Sequence, residues 1–307
     1  MKIVIATLVV LVICSIWIIL WATKSKPIII EPLKNDTVSY GAFKQQYFAN
    51  KNSKIIPKYI FRTFKYHKPE FNFVLNNAIE MNPGFIQIYF SDDDCRDFIS
   101  TFYPIYLNAF DMITPGAFKA DLFRLIILYH FGGVYSDIGH MFLQPMTNFI
   151  NFDFDECVLV KDLQDGFIQI HNAFMAAYPR HPLIKSMLIH ITKNIENKYY
   201  GTSPLAITGP DALGVLFSKY YGLPNTKNIN SGVYRFYNNK IKFLQLGSSL
   251  FQNHILDTNK EKVIKTKFDN FKAIVYSDDV LPHYSEIWKN KQVYGEPEPQ
   301  KHECIIS

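Results

Sequence analysis

The chain has 307 residues, 48% hydrophobic, 16% aromatic and 19% charged, which is ample material for a folded core and excludes disorder over most of its length. Its 32 Lys and Arg against 27 Asp and Glu give a formal net charge of +5, a mild excess with no basic cluster interleaved with aromatics, so no nucleic-acid footprint is written in it. The 14 Gly and 16 Pro follow no period, which excludes collagen-like and repeat architectures.

Residues 3–22 are 20 consecutive uncharged residues, and at about 1.5 Å rise each they reach about 30 Å, the thickness of a bilayer's hydrocarbon core. A cleaved signal peptide has a shorter apolar region and a small-x-small cleavage site, whereas Trp17 and Trp21 crowd the end of this run. Residues 1–22 are therefore read as an uncleaved membrane anchor. Lys2 on one side and Lys24 and Lys26 on the other leave its orientation open. Residues 23–54 are polar and weakly patterned and read as a stem, which carries the one Asn-x-Ser/Thr sequon, Asn35-Asp36-Thr37. Residues 55–290 read as the folded domain and 291–307 as a C-terminal tail. Cys14 lies in the apolar run, and Cys95, Cys157 and Cys304 show no Cys-x-x-Cys spacing, which excludes a zinc knuckle and leaves one Cys95 to Cys157 bridge as a possible pairing.

From residue 55 onward strand and helix signals alternate. Residues 56–64 are rich in β-branched and aromatic side chains. Residues 69–81 have helical spacing that stops at Asn82-Pro83-Gly84. Residues 85–90 predict a second strand, and Ser91-Asp92-Asp93-Asp94 caps the helix that follows. A helix over 115–130 ends at Gly132-Gly133, and residues 134–138 predict the next strand. Strands near 157–160, 167–170, 233–237 and 271–276 and helices over 182–199 and 210–220 continue the mixture. Such alternation predicts an α/β sheet with ligands at the carboxyl ends of its strands.

Chemistry is sought where charge is forced into apolar sequence. Residues 117–128 are apolar on nearly every helical face apart from Lys119, Asp121 and Arg124, of which Asp121 and Arg124 are three residues apart and share a face. One reading is an internal ion pair that locks the helix; the other is a pair that lines a pocket and holds the hydroxyls of a polar ligand. Asp137, thirteen residues after Arg124 in Gly132-Gly133-Val134-Tyr135-Ser136-Asp137-Ile138-Gly139-His140, ends a short hydrophobic strand, which favours the pocket. Two further Asp-x-Asp pairs, Asp92/Asp94 and Asp153/Asp155, fall in a helix cap and a loop and read as solvated acids. No His-x-x-x-His, Gly-x-Ser-x-Gly or phosphate-binding P-loop is present.

Ile56-Pro57-Lys58 opening a strand, the Ala120-Asp121-x-x-Arg124 helix and the Gly-Gly-Val-Tyr-x-Asp run together resemble the DXD-type sugar transferases. That family includes fungal outer-chain mannosyltransferases, mannosyl-inositol-phosphoceramide synthases, α-galactosyltransferases of glycolipids and, more distantly, the glucosylating toxins of clostridia. The likeness is strongest over residues 55–145. Beyond it, Asn172 with Met175 and Pro179, Thr208-Gly209-Pro210, and His283 with Trp288 are similar to the family's second half.

The resemblance implies a GT-A fold, a Rossmann-like nucleotide-sugar domain, behind the transmembrane helix. It also implies an anomerically retaining hexosyltransferase using Mn²⁺ or Mg²⁺ and a GDP- or UDP-hexose donor, with a glycan or lipid acceptor. Mapped residue by residue, Asp121 and Arg124 hold hydroxyls of the transferred sugar, Tyr135 lines the donor site, and Asp137 contacts the donor ribose and the metal as the first acid of the motif. Phe64 stands where the family has a tryptophan beside the base, Asn172 belongs to the donor site, Trp288 closes over it, and His283 with Ser285 completes the metal or diphosphate site. A divalent cation bridging the phosphates stabilises the charge that develops on a nucleoside diphosphate leaving group.

The departures are equally specific. Gly139 stands where the second acid of the motif belongs, and His140 or Asp279, beside Asp278, are the alternative ligands. Phe61 replaces a histidine, and Ile287 replaces the serine before the closing tryptophan. Three readings remain at this stage: a membrane-anchored transferase of type II topology with a luminal, Golgi-like domain if the source is eukaryotic; a degenerate member that binds nucleotide sugar or glycan without turnover; and a tethered structural or adhesion protein.

Overall fold

A computed structural model describes residues 37–46, 52–162, 168–223, 229–248, 252–276 and 282–295. The apolar run over 3–22, Cys14, Cys304, Asn35 and Asp36 of the sequon, and Asp278 with Asp279 lie outside the described residues, within which no helix is long and apolar enough to cross a membrane.

The first half of the domain is a succession of β-α units. Strand β1 (Thr37–Ser39) runs into helix α1 (Tyr40–Gln46), and β2 (Tyr59–Thr63) is followed by a 3-10 turn over Pro69–Phe71 and helix α2 (Asn72–Met81). Strand β3 (Ile86–Phe90) leads to α3 (Asp92–Phe102), and after a second 3-10 turn come α4 (Leu107–Met112) and α5 (Gly116–Phe131), which returns the chain to β4 (Gly133–Ser136). Local chemistry sets these boundaries. Ser91 and Asp94 form a reciprocal capping box at the start of α3, the Ser91 hydroxyl accepting from the Asp94 amide at 3.1 Å and the Asp94 carboxylate accepting from the Ser91 amide at 2.9 Å. Helix α5 stops at Gly132, whose φ of 68° suits glycine, and a Cβ there would stand 2.6 Å from Pro179.

The second half carries β5 (Met141–Phe142), β6 (Cys157–Asp162), β7 (Gln169–Ile170), β8 (Phe174–Ala177), α6 (Pro182–Glu196) and α7 (Pro210–Tyr220). It continues with β9 (Gly232–Phe236), β10 (Asn239–Leu246), β11 (His254–Leu256), β12 (Lys262–Lys265), α8 (Phe271–Val275) and α9 (Tyr284–Lys289). The described strands form one mixed sheet in the order β1-β3-β2-β4-β8-β6-β10-β11-β12-β5, with β7 beside β6 and β9 beside β10. Strands β1, β3, β2 and β4 are mutually parallel, while β8 is antiparallel to both β4 and β6. The chain leaves β2 towards β3 and returns to β4 on the other side of β2, so the strand order reverses there and the carboxyl ends of β2 and β4 flank a topological switch point. Strands β4 and β5 are joined by the four residues 137–140, yet in the ladder they are linked through β8, β6, β10, β11 and β12, so that part of the sheet curls back on itself.

One apolar cluster fills the face covered by α3, α5, α6 and α7, around Phe98, Phe123, Ile126, Leu188 and Phe217. A second lies on the opposite face around Ile60, Val134, Phe142, Val158 and Phe174. The fold is the mixed α/β class read from the sequence.

Four local expectations need correction. Residues 37–46, assigned to the stem, belong to the domain: β1 pairs with β3, and Tyr40 and Phe43 are buried in the first cluster. Residues 271–276, expected as a strand, form helix α8, because Phe271, Ile274 and Val275 fall on one helical face against Phe71 and Phe268. Cys95 and Cys157 are both buried and free. Asp155, read as solvated, is buried and paired with Lys240 at 3.4 Å and Lys242 at 3.2 Å.

Candidate functional site

Asp137 follows β4 directly, at the switch point, and its amide donates to the Ala173 carbonyl at 2.9 Å. Its side chain is 39% exposed. Helix α5 runs beneath it and brings Asp121 and Arg124 to the same place, both buried. The Arg124 guanidinium binds three oxygens: Nε donates to the Ala120 carbonyl at 3.1 Å, Nη2 donates to Asp137 Oδ1 at 3.2 Å, and Nη1 lies 3.2 Å from Asp121 Oδ1. It also lies over the Tyr135 ring, 4.6 Å from its centre. The two readings of the Asp121 and Arg124 pair thus meet: the ion pair exists, and through Arg124 it reaches the exposed acid.

Asp121 is held from the second half of the chain. Asn172 Nδ2 donates to its Oδ1 at 2.9 Å, and the Thr208 hydroxyl donates to its Oδ2 at 2.7 Å. Burial raises the Asp121 pKa, against the opposing pull of Arg124, Thr208 and Asn172. Burial disfavours the Arg124 charge, but Tyr135, Asp137 and Asp121 more than restore it, so its pKa is raised. Tyr135 is fully buried with its ring beneath the Arg124 guanidinium, and burial raises its pKa well above the ordinary value.

The loop after Asp137 rests on a residue that the sequence reading missed. Arg62, on β2, is fully buried; its Nη1 donates to the carbonyls of Asp137 at 3.2 Å, Ile138 at 3.4 Å and His140 at 3.2 Å, and its Nη2 donates to His140 at 3.1 Å. Burial pulls its pKa down to about 9, which still leaves it charged at neutral pH. No signal in a five-residue strand separates such an arginine from one facing water.

The remaining expected residues fall as follows. Phe64 lies just beyond the carboxyl end of β2, edge-on to Phe71 at 4.9 Å. His283 and Ser285 bond to each other at 2.7 Å across the cap of α9. The Trp288 indole donates to the Tyr200 carbonyl at 2.8 Å, which fastens α9 to the domain. Tyr284, not singled out from the sequence, packs its ring 5.7 Å from that of Phe118 on α5, and after burial the charge of Asp121 is the next cause of its raised pKa. His140 is buried, 3.0 Å from the Ser136 hydroxyl through Nδ1, and burial holds it well below its ordinary pKa, with His171, Arg62 and Arg124 adding to the effect.

The described donor set does not fit a divalent cation. Among the described residues no three His, Cys, Asp or Glu side chains converge as a metal-binding group. A Cβ at Gly139 would stand 2.7 Å from the Phe271 ring and 3.0 Å from the Thr266 carbonyl, so the second acid of the motif is absent and its place is closed by packing. One Asp137 oxygen already faces Arg124.

Residues 58–155 match the family described as "Glycosyltransferase sugar-binding region containing DXD motif". It is similar to the inositol phosphoceramide mannosyltransferase 2 of Schizosaccharomyces pombe, 30% identical over 176 residues that cover 56% of this chain and 49% of that protein. It is also similar to the mannosyl phosphorylinositol ceramide synthase CSH1 of Saccharomyces cerevisiae, 28% identical over 227 residues, 69% of this chain and 56% of that one. The chain thus spans about half the length of these curated relatives. A solved structure titled PaToxG Glycosyltransferase aligns over 55% of this chain and 71% of its own, with a TM-score of 0.42 and 16% identity.

Proposed function

We propose that this protein is a hexosyltransferase of GT-A type that moves mannose, or a related hexose, from a GDP- or UDP-sugar to a glycan or glycolipid acceptor. The observation that carries the reading is the convergence of Asp121, Arg124 and Asp137 at the carboxyl end of β4. The names of the fungal relatives support mannose as the sugar and an inositol phosphoceramide as the acceptor class. Arg124 carries five N–H donors, of which three are engaged, so donors remain for sugar or phosphate oxygens. The Asp137 side chain is 39% exposed, so its carboxylate is open to a hydroxyl from solvent or ligand. Asn172 and Thr208 orient Asp121, and Tyr135 supports the guanidinium, so the polar groups are held before a donor arrives.

The reading extends to residues 1–22 as an uncleaved anchor that presents the domain to a lumen, supported by the uncharged run 3–22 and tested by protease protection of the domain in sealed vesicles. The alternative, a member that binds nucleotide sugar without turnover, is motivated by the closed position at Gly139. Release of GDP or UDP from a panel of nucleotide hexoses, with and without Mn²⁺, tests the activity. Nucleotide-dependent thermal stabilisation without release marks the alternative, and absence of both sinks the two together.

A further inference from the structure

The loop from Asp137 to His140 has an unusual support. A buried guanidinium with no described carboxylate within ion-pair distance is costly unless its donors are satisfied. The Asp137 charge offsets part of the burial, and the donors go almost entirely to this one loop, where the carbonyls of residues 137, 138 and 140 all accept from Arg62. No described residue forms an ion pair with Arg62, and its Nε has no partner. The alternation of β2 places Arg62 on the face of Ile60, in the apolar cluster, with its guanidinium 5.7 Å from the centre of the Phe142 ring. Packing alone would favour an aliphatic side chain here. From above, the loop is closed by Phe271 and Thr266 against Gly139, so no side chain at 139 reaches outward.

We propose that Arg62 is the positioning residue of this loop: its buried guanidinium, and not a bound cation, fixes the 137–140 backbone so that the Asp137 carboxylate meets Arg124. The inference rests on the proposed function only for its effect on turnover; the effect on the loop is independent of it. Arg62 touches no substrate. It aims three carbonyls downward, and the peptide planes so fixed set where Asp137 emerges.

Arg62→Met and Arg62→Gln in the full chain test this. Methionine suits an apolar cluster and donates no hydrogen bond, whereas glutamine suits it poorly and keeps two N–H donors. If Arg62 only fills space, thermal stability, exchange protection of amides 137–143 and kcat/KM all rank methionine above glutamine. Positioning inverts the last two. Thermal stability still favours Arg62→Met, while protection and kcat rank wild type, then Arg62→Gln, then Arg62→Met, whose kcat falls roughly a hundredfold with KM changed far less. Wild-type protection of the loop is the same in EDTA as in Mn²⁺.

Wild-type protection in Arg62→Met, or loop protection that disappears in EDTA, overturns the proposal. Should Arg62→Met not fold, Arg62→Gln decides: loop protection lost together with that of the whole sheet refutes a local role, and loop protection lowered while the sheet stays protected supports it. If wild type releases no nucleotide from any donor, the functional reading fails, and the exchange ranking still judges Arg62.

Discussion

Asp121 and Asp137 are both carboxylates on Arg124, yet their surroundings separate their roles. Asp121 is buried and accepts from Asn172 and Thr208 as well as facing Arg124. Asp121→Asn puts an amide among donors and leaves Arg124 with one acid, and breaking a buried pair of this kind costs about 3 to 5 kcal/mol. Chemical denaturation of the variant is expected to show that loss in its midpoint. Asp137 is more than a third exposed, so its contact with Arg124 is screened and contributes at most about 1 kcal/mol. Asp137→Asn is therefore expected to keep the fold and lose nucleotide-sugar turnover; a variant with wild-type turnover would show that the reacting centre is elsewhere. Thr208→Val belongs with Asp121: it strips Oδ2 of its hydrogen bond in a buried place, with an expected cost of about 1 to 3 kcal/mol in the same measurement.

At the scale of elements, the β4–β5 connection is tight because α8 lies on it. Gly139→Ala sets a methyl 2.7 Å from the Phe271 ring and 3.0 Å from the Thr266 carbonyl, and overpacking of this kind costs about 1 to 3 kcal/mol. Adding Phe271→Leu is expected to recover only part of the loss, since the backbone contact stays; full recovery in thermal melts would mean that the ring alone closes the position. This contact also marks what the sequence conceals. The β-α alternation, the Ser91 cap, the stop at Gly132 and the Asp121, Arg124 and Asp137 triad are legible because each follows from local periodicity, turn chemistry or a charge stranded in apolar sequence. Arg62 is illegible because its partners are backbone carbonyls some 75 residues away, and no side-chain pattern encodes them. Helix α8 reads as a strand because Phe271, Ile274, Val275 and Tyr276 are β-prone and so short a run carries either period, and only Phe71 and Phe268 decide between them. Strand β1 and helix α1 are lost in a polar stretch because their pairing with β3 is non-local.

Across the whole molecule, buried imidazoles tie stability to pH. His181 caps α6, with its Nδ1 accepting from the Leu183 amide at 3.2 Å, and burial lowers its pKa from 6.5 to about 3. His140, under the Asp137 loop, is lowered well below 6.5 for the same first reason. Each binds a proton more readily in the unfolded chain than in the folded one, so each contributes stability that is fully present above pH 6.5 and is lost as pH falls towards the folded-state value. For His181 the loss between its two values is about 1.4 kcal/mol per pH unit, and His140 acts in the same direction. The raised pKa of Asp121 acts in the opposite sense, since its protonation at low pH relieves a buried charge. The thermal midpoint is expected to be flat from pH 8 to 7 and to fall steeply below about 6. His181→Asn is expected to make that fall shallower, because asparagine accepts the Leu183 amide without titrating. A midpoint that holds constant down to pH 4.5 would mean that neither imidazole is kept neutral by the fold.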